Sequence, residues 1–182
     1  GVLLLLFGLG GYFREIFNFL SLPADFSTFI TQPWSFVTYS VMHLYPGMGG
    51  GFLGPLFHIV FNMLWVYWLG RLLREYLGDR HVWGVYALGV AVGAFLYLLI
   101  FNLSPAFDQS RQLINLAGAS AGVTAVVVAT ATLLPNFRVM LFIFGAVQLK
   151  WLALIFVVID IISIMGSNPG GMIAHLGGAA LG

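Results

Sequence analysis

The sequence predicts an all-α membrane protein with six transmembrane helices and a long, partly membrane-immersed first loop, and two observations predict this fold. The first is composition: of 182 residues, 60% are hydrophobic and 7% are charged, with a mean hydropathy of +1.00. Soluble domains carry about 25% charged residues, so a core this apolar could not be covered in water by its own polar surface. The second is that the apolar residues fall into six separate runs.

The six runs give the expected helices in chain order. They are Gly1–Phe19, Leu56–Leu77, Val82–Leu103, Leu113–Leu134, Val139–Met165 and Gly170–Gly182. A helix that crosses a bilayer needs about 20 residues, so the short first and last runs lead us to expect that both ends were trimmed. No basic stretch precedes the first run, which argues against a signal peptide. We expect a single domain over residues 1–182.

The connection between the first and second runs is long and only partly polar. It contains a glycine-rich stretch at residues 46–51, but also Phe26, Ile30 and Trp34. Aromatic residues concentrate at membrane interfaces, so we expect this loop to lie half immersed in the bilayer.

Basic residues set the expected orientation. Five of the seven lysines and arginines lie around the second-to-third and fourth-to-fifth connections. An excess of positive charge marks the cytoplasmic side, so the first, third and fifth loops are expected to face outward.

Composition also excludes several kinds of function. The chain has no cysteine, which excludes a disulfide scaffold, a thiolate metal site and a cysteine nucleophile. The four histidines and six carboxylates are scattered, so we expect no metal site and no other cofactor. No basic stretch is present, so nucleic acid is not an expected partner. The sequence does not indicate an oligomeric state.

Polar residues in three of the runs are expected to converge at one depth. In the orientation above, the second, fourth and sixth helices enter from the outer face, and their first turns contain His58, Asn62, Ser120 and His175. A polar residue inside a bilayer is costly and normally faces the interior of the helix bundle. We therefore expect these side chains to share a shallow pocket.

Ser120 is the candidate nucleophile. It lies in Gly118-Ala119-Ser120-Ala121-Gly122, a G-x-S-x-G pattern that soluble hydrolases place on a strand-to-helix turn. We predict no strand before it, so the soluble-hydrolase interpretation fails. A serine near a helix N-terminus is nevertheless accessible and has free backbone N–H groups beside it. The alternative is that these small residues only allow close helix packing.

His175 is the candidate general base, because a histidine near neutral pH is the commonest proton acceptor for a hydroxyl nucleophile. Ala174, Gly178 and Gly182 form a smooth ridge beside it, which we expect to press on the Gly118/Gly122 face of the fourth helix. The alternative is a histidine that merely hydrogen-bonds a neighbouring helix.

Three further polar residues allow two interpretations each. His58 and Asn62 are four residues apart and share one helix face. Both donate hydrogen bonds while uncharged, which suits oxyanion stabilisation, although a polar clasp between helices would use them equally. Asp160, an intramembrane carboxylate, is assigned to a helix-clasping hydrogen bond rather than to catalysis. With no well-placed third carboxylate, the prediction is a Ser120–His175 dyad.

These motifs together resemble the rhomboid family of intramembrane serine proteases. The family pattern is H-x-x-x-N, then G-x-S, then A-H-x-x-G-x-x-x-G on helices two, four and six. Here the matching residues are His58, Asn62, Gly118, Ser120, Ala174, His175, Gly178 and Gly182. The resemblance covers nearly all of the chain. Three positions depart from it. Ser35 follows Trp34 where the family often has an arginine, Ala121 stands where a glycine usually follows the serine, and Thr124 stands where an aromatic residue often supports the histidine ring.

The resemblance implies a six-helix rhomboid-like bundle that cuts single-span membrane proteins in or near their membrane segments. It implies a Ser120–His175 dyad and an oxyanion hole to which His58, Asn62, the Ser120 N–H and Ala119 contribute. The implied partners are transmembrane substrates and the lipid bilayer. The implied location is a bacterial inner or plasma membrane, multi-pass, with the site open to the extracytoplasmic side.

Two other functions stay open at this point. A catalytically silent rhomboid-like protein would bind membrane helices for quality control, but such relatives lack the serine or the histidine, and both are present here. A small transporter or channel would use the same polar residues as a solute path. Transport folds commonly contain internal repeats, and the sequence has no convincing one.

Overall fold

A computed structural model describes residues 12, 14–43, 53–141, 145–166 and 168–182. Within these residues the chain is a helical bundle with short strands in its loops. Most of the first predicted helix and the glycine-rich stretch at residues 46–51 lie outside the described residues.

Eight α-helices and four short strands follow one another along the described chain. The helices are α1 (residues 14–20), α2 (Phe26–Thr31), α3 (Ser35–Thr38), α4 (Leu53–Leu77), α5 (Asp79–Leu103), α6 (Ser120–Leu133), α7 (Leu149–Ser163) and α8 (Pro169–Leu181). The strands are β1 (Leu22–Pro23), β2 (Asn115–Leu116), β3 (Arg138–Leu141) and β4 (Gly145–Gln148).

Two of the described helices are long and apolar enough to cross a bilayer. They are Leu56–Leu77 within α4, with a mean hydropathy of 1.4, and α5, with a mean hydropathy of 2.2. In contrast, α6, α7 and α8 have 14, 15 and 13 residues, fewer than the about 20 that a full span needs. The described residues form a helical bundle, whereas the presence of six membrane spans remains a prediction.

The fourth and fifth predicted helices begin later than expected. The strand β2 lies where the fourth helix was to start, and the antiparallel strands β3 and β4, with Val139 opposite Val147, lie where the fifth was to start. Periodicity cannot separate a short apolar run in a strand from one in a helix. Pro135 interrupts the helical pattern, and the paired strands β3 and β4 precede α7.

Backbone pairing joins the first loop to the segment that precedes α6. β1 and β2 are antiparallel, with Leu22 opposite Leu116, and both leucines are buried. The Ala24 N–H also donates to the Ile114 carbonyl at 3.1 Å. The first loop therefore holds the chain in place just before α6.

Small residues bring α8 into direct contact with α6. A Cβ on Gly178 would collide with the Ala121 carbonyl oxygen, and a Cβ on Gly182 would collide with that of Ala125. The predicted ridge thus does pack on the predicted helix, but on its Ala121/Ala125 side, because Gly122 faces α5. This contact brings the first turn of α6 to the middle of α8, where the candidate base lies.

Candidate active site

A cavity of about 480 Å³ lies between α4, α6, α7 and α8. Its polar lining comes from all four helices and comprises His58, Asn62, Ser120, Thr124, Asp160 and His175. Its apolar lining comprises Phe57, Phe61, Trp65, Val123, Val127, Phe156 and Ile159. The structure therefore brings together the four side chains that were expected to share a pocket. Ala119, the remaining predicted residue, is buried at the position before Ser120 and outside this lining.

Ser120 is the first residue of α6, and its surroundings suit negative charge. Ala119 precedes the helix without a side-chain capping bond. The hydrogen bonds of this helix begin with the Val123 N–H, which donates to the Ala119 carbonyl at 3.1 Å. The N–H groups before it carry the positive end of the helix dipole. The hydroxyl of Ser120 thus lies beside donors that can stabilise an oxyanion.

Gly118 turns the chain into α6. Its φ is +126°, a conformation that glycine adopts without steric cost. A Cβ at this position would lie 3.5 Å from His58 Nε2 and 3.6 Å from Ser120 Oγ, so both groups flank the space that the missing side chain leaves open. The positive φ of Gly118 and its lack of a side chain therefore leave the Ser120 hydroxyl accessible.

A short strand precedes this turn, which corrects the expectation that none would. β2 spans two residues, Asn115–Leu116, and its partner β1 lies in the distant first loop. A strand this short has no periodicity of its own, so its sequence does not reveal it. The serine consequently lies on a small strand–turn–helix unit, whose sheet has two strands, β1 and β2, in the described part of the chain.

Tyr39 connects the Gly118 turn to the bundle. The Gly118 N–H donates to the Tyr39 carbonyl at 2.9 Å, and the Tyr39 hydroxyl donates to the Val90 carbonyl of α5 at 2.7 Å. Tyr39 is fully buried. Burial, with a smaller contribution from Tyr86, raises the pKa of Tyr39, so its hydroxyl remains a donor. This pair of bonds fixes the backbone two residues before Ser120.

His58 and Asn62 contribute side-chain donors from α4. Asn62 is buried, with 8% of its surface exposed, yet neither side chain hydrogen-bonds another residue in the described ranges. The ring of His43, from the first loop, lies beside His58 with 6.0 Å between the ring centroids. Both side chains line the cavity, so their donors are free to bond a group that enters it.

A carboxylate holds the candidate base. His175 Nδ1 of α8 lies 3.0 Å from Asp160 Oδ1 of α7. The two side chains are 19% and 10% exposed. A carboxylate can only accept, so Nδ1 carries the proton and Nε2 presents its lone pair when the ring is neutral.

This contact corrects the expectation that no third carboxylate is well placed. Asp160 does join two helices, as the clasp interpretation required, but its partner is the candidate base. Asp160 lies eight residues before Asn168 and His175 seven residues after it, so the two reach the same level when the chain turns back there. That spacing was the available signal, and it becomes informative only once the α7–α8 turn is located.

The candidate nucleophile and base share the cavity without being hydrogen-bonded to one another. Among the described residues, Ser120 Oγ forms no hydrogen bond with the His175 ring, although both line the same space. Catalytic hydrogen bonds are often long without substrate and tighten when it binds. The Thr124 hydroxyl donates to the Ser120 carbonyl at 2.9 Å.

Comparison with known protein families gives a match that agrees with this geometry. The sequence matches the Rhomboid domain over residues 30–182, a range that includes every residue lining the cavity. The chain matches none of the curated proteins compared with it. Because the family match covers well over half of the sequence, it confirms the resemblance drawn from the motifs. The chain belongs to the rhomboid family.

Proposed function

We propose that this protein is an intramembrane serine endopeptidase that hydrolyses peptide bonds in or near the membrane segments of single-span proteins. One observation carries the proposal: Ser120, at the N-terminus of α6, lines one cavity with His175, His58 and Asn62. Family membership supports it, because rhomboid proteins are membrane-embedded and are usually serine proteases.

In the proposed reaction, Ser120 is the nucleophile and His175 the general base. The serine oxygen attacks the substrate carbonyl carbon while His175 Nε2 accepts the hydroxyl proton. The tetrahedral intermediate then loses the amine, which takes that proton as the carbon–nitrogen bond breaks. A water molecule hydrolyses the resulting acyl-enzyme by the same route, with His175 again as base.

The oxyanion of the intermediate needs donors that are in place before the reaction. The Ser120 N–H, His58 and Asn62 are the proposed donors, with Ala119 as the residue that leads the chain into this helix end. Each such donor contributes a factor of about 10²–10³ to the rate of acyl transfer, or about 3–4 kcal/mol. The contribution is large because the donors are fixed and partly shielded from water.

The apolar part of the cavity favours a membrane segment as substrate. Phe57 and Phe61 of α4 and Ile159 of α7 line it, and the Trp65 and Phe156 rings meet edge to face with their centroids 5.4 Å apart. Such a surface suits apolar side chains. A substrate helix must unwind locally before attack, because its peptide bonds are hydrogen-bonded and shielded, so helix-breaking residues should favour cleavage.

The membrane arrangement that fits this function is the multi-pass, six-span one. In it, the connections rich in lysine and arginine are cytoplasmic, and Ser120 and His175 lie near the extracytoplasmic face. Water then reaches the site from outside, as hydrolysis requires. A bacterial inner or plasma membrane is the proposed location. In this orientation, the enzyme should cut its substrate in the outer part of the substrate's membrane segment.

Labelling with a fluorophosphonate tests whether Ser120 is an activated nucleophile. The probe should form a covalent adduct on Ser120 of the purified protein, located by peptide mass spectrometry. Ser120→Ala should abolish it, and His175→Ala should slow it by a factor of about 10²–10⁴, the usual contribution of a general base. Ser104→Ala, which changes a serine outside the cavity, is the matched control and should label normally.

The same labelling experiment separates this proposal from a silent rhomboid-like binder. A binder would retain its fold and bind membrane helices without an adduct at Ser120. An unlabelled but folded wild-type protein would therefore contradict the enzyme proposal.

A further inference from the structure

The carboxylate of Asp160 lies within a predicted membrane segment, where a polar group is energetically costly. Asp160 lies late in α7, a helix whose other charged residue is Lys150 in its first turn. It is buried, and among the described residues its hydrogen bond is to His175 Nδ1. Ionisable side chains inside membrane segments are costly and mark functional sites by default. A mere clasp between α7 and α8 could be made by an uncharged amide at lower cost.

The chemistry of this contact selects one tautomer of the imidazole. A carboxylate offers no proton, so it accepts one from Nδ1 and leaves Nε2 without a proton. That nitrogen is the one required to accept the proton of Ser120. When Nε2 does so, the ring becomes a cation, and the charge of Asp160 stabilises it at 3.0 Å. The proton later leaves from Nε2 to the amine, so Asp160 neither gains nor loses a proton.

The ring of His175 also needs something to hold its orientation. The aromatic support that rhomboid proteins often use is absent here, because that position is Thr124, whose hydroxyl donates to the Ser120 carbonyl at 2.9 Å. Asp160 is the described side chain that hydrogen-bonds the ring. Its role is therefore both orientation and choice of tautomer.

We propose that Asp160 is a positioning residue that completes a Ser120–His175–Asp160 triad, an inference that rests on the proposed proteolytic function. The arrangement matches the logic of soluble serine proteases, in which a buried aspartate orients the histidine and stabilises the imidazolium without being protonated. Asp160 acts through His175, which it hydrogen-bonds.

Asp160→Asn is the substitution that tests this role. It preserves size and a hydrogen bond, but its amide can donate to the ring and so stabilise the tautomer with a proton on Nε2. We expect kcat for a reconstituted single-span substrate to fall by about 10²–10⁴ while KM changes little, as for the corresponding change in soluble triads. Asp160→Glu keeps the acceptor and should recover part of the lost kcat.

Two controls separate positioning from support of the fold. Thr130→Val removes a buried hydroxyl of α6 that bonds the Val126 carbonyl at 2.6 Å. Thr130 is ten residues beyond Ser120, about 15 Å along the helix, so this variant should lose thermal stability but keep kcat. In ¹⁵N-histidine-labelled protein, a downfield Nδ1 proton signal, assigned by its loss in His175→Ala, should be present in the wild type and altered in Asp160→Asn.

The outcomes distinguish failure of the triad from failure of the proteolytic proposal. Wild-type protein that cleaves, together with Asp160→Asn of equal kcat, would overturn the triad alone. So would a loss of kcat in Asp160→Asn that Thr130→Val matches at equal loss of stability. Wild-type protein that neither cleaves nor labels at Ser120 would overturn the proposed function and, with it, the triad.

Discussion

At the scale of single residues, the cavity holds polar groups that the described protein leaves unpaired. Asn62 is buried and lines the cavity, yet no other described side chain or backbone group satisfies its amide. Its amide atoms are not among the buried unpaired ones, because they face the cavity and are open to solvent. An amide that faces the cavity rather than a neighbouring helix is available to a substrate oxygen during the reaction.

Asn62→Ala should therefore impair the chemical step more than the fold. We expect kcat to fall by about 10²–10³, the loss typical of one oxyanion donor, with little change in melting temperature. Steady-state cleavage of a single-span substrate measures the first quantity and thermal unfolding the second.

Asn102→Ala provides the matched control for this prediction. The Asn102 amide is fully used for structure, because it donates to the Ala24 and Leu98 carbonyls at 2.8 and 2.7 Å. This variant should lose stability and retain kcat. The oxyanion assignment is wrong if Asn62→Ala instead behaves like Asn102→Ala.

The residue types of the site could be predicted from the sequence, whereas the hydrogen bond between Asp160 and His175 could not. Ser120, His175, His58 and Asn62 are polar groups in apolar runs, and the cost of such groups in lipid already implies that they face one another. The contact between Asp160 and His175 depends on the level at which α7 and α8 meet. A helix shifted by one turn moves a residue by about 5.4 Å. An error of a few residues in a predicted helix boundary is therefore enough to hide the contact between Asp160 and His175.

At the scale of helices, the site depends on how closely α8 approaches α6. Gly178 packs so tightly that even a methyl group there would overlap the Ala121 carbonyl oxygen. Small residues are what allow two membrane helices to meet at such short range. Because His175 and Ser120 lie on the two helices that meet here, the distance between nucleophile and base depends on this contact.

Gly178→Ala should consequently reduce both stability and the rate of fluorophosphonate labelling at Ser120. Overpacking of a close contact typically costs about 1–3 kcal/mol, and separation of the two helices moves the base away from the nucleophile. Thermal unfolding and labelling kinetics on the same preparation measure the two effects.

Gly84→Ala is the matched control for that substitution. Gly84 lies in α5, and a Cβ there would have no atom within 4 Å. Replacing a helical glycine by alanine at an open position should leave the labelling rate unchanged and stabilise the helix by about 0.5–1 kcal/mol. Equal behaviour of the two variants would contradict the close-contact account.

Helices were easier to predict than the elements between them. The runs that became α4 and α5 are long and uniformly apolar, so their positions follow from hydropathy alone. The hairpin β3–β4 and the pair β1–β2 are short and depend on pairing, the latter between residues about 90 positions apart in Leu22 and Leu116. The expected close packing of α8 on α6 was right, but on the Ala121 side.

At the scale of the whole molecule, the chain is a membrane-embedded helical protein of the rhomboid family. Composition alone indicates the lipid environment, since too few charged residues exist to cover the apolar ones. The three ordered motifs indicate the family. The full set of six spans remains a prediction, because part of the first predicted helix is outside the described residues and α6, α7 and α8 are short.

The most direct test of the account is cleavage of a reconstituted single-span substrate by wild-type protein and by Ser120→Ala in the same liposomes. The account predicts that wild-type protein produces two fragments, whose masses place the cut in the outer part of the substrate's membrane segment. It predicts that Ser120→Ala, folded to the same melting temperature, produces neither. Equal cleavage by the two proteins, or none by a wild-type protein that is folded and presented with several such substrates, would contradict it.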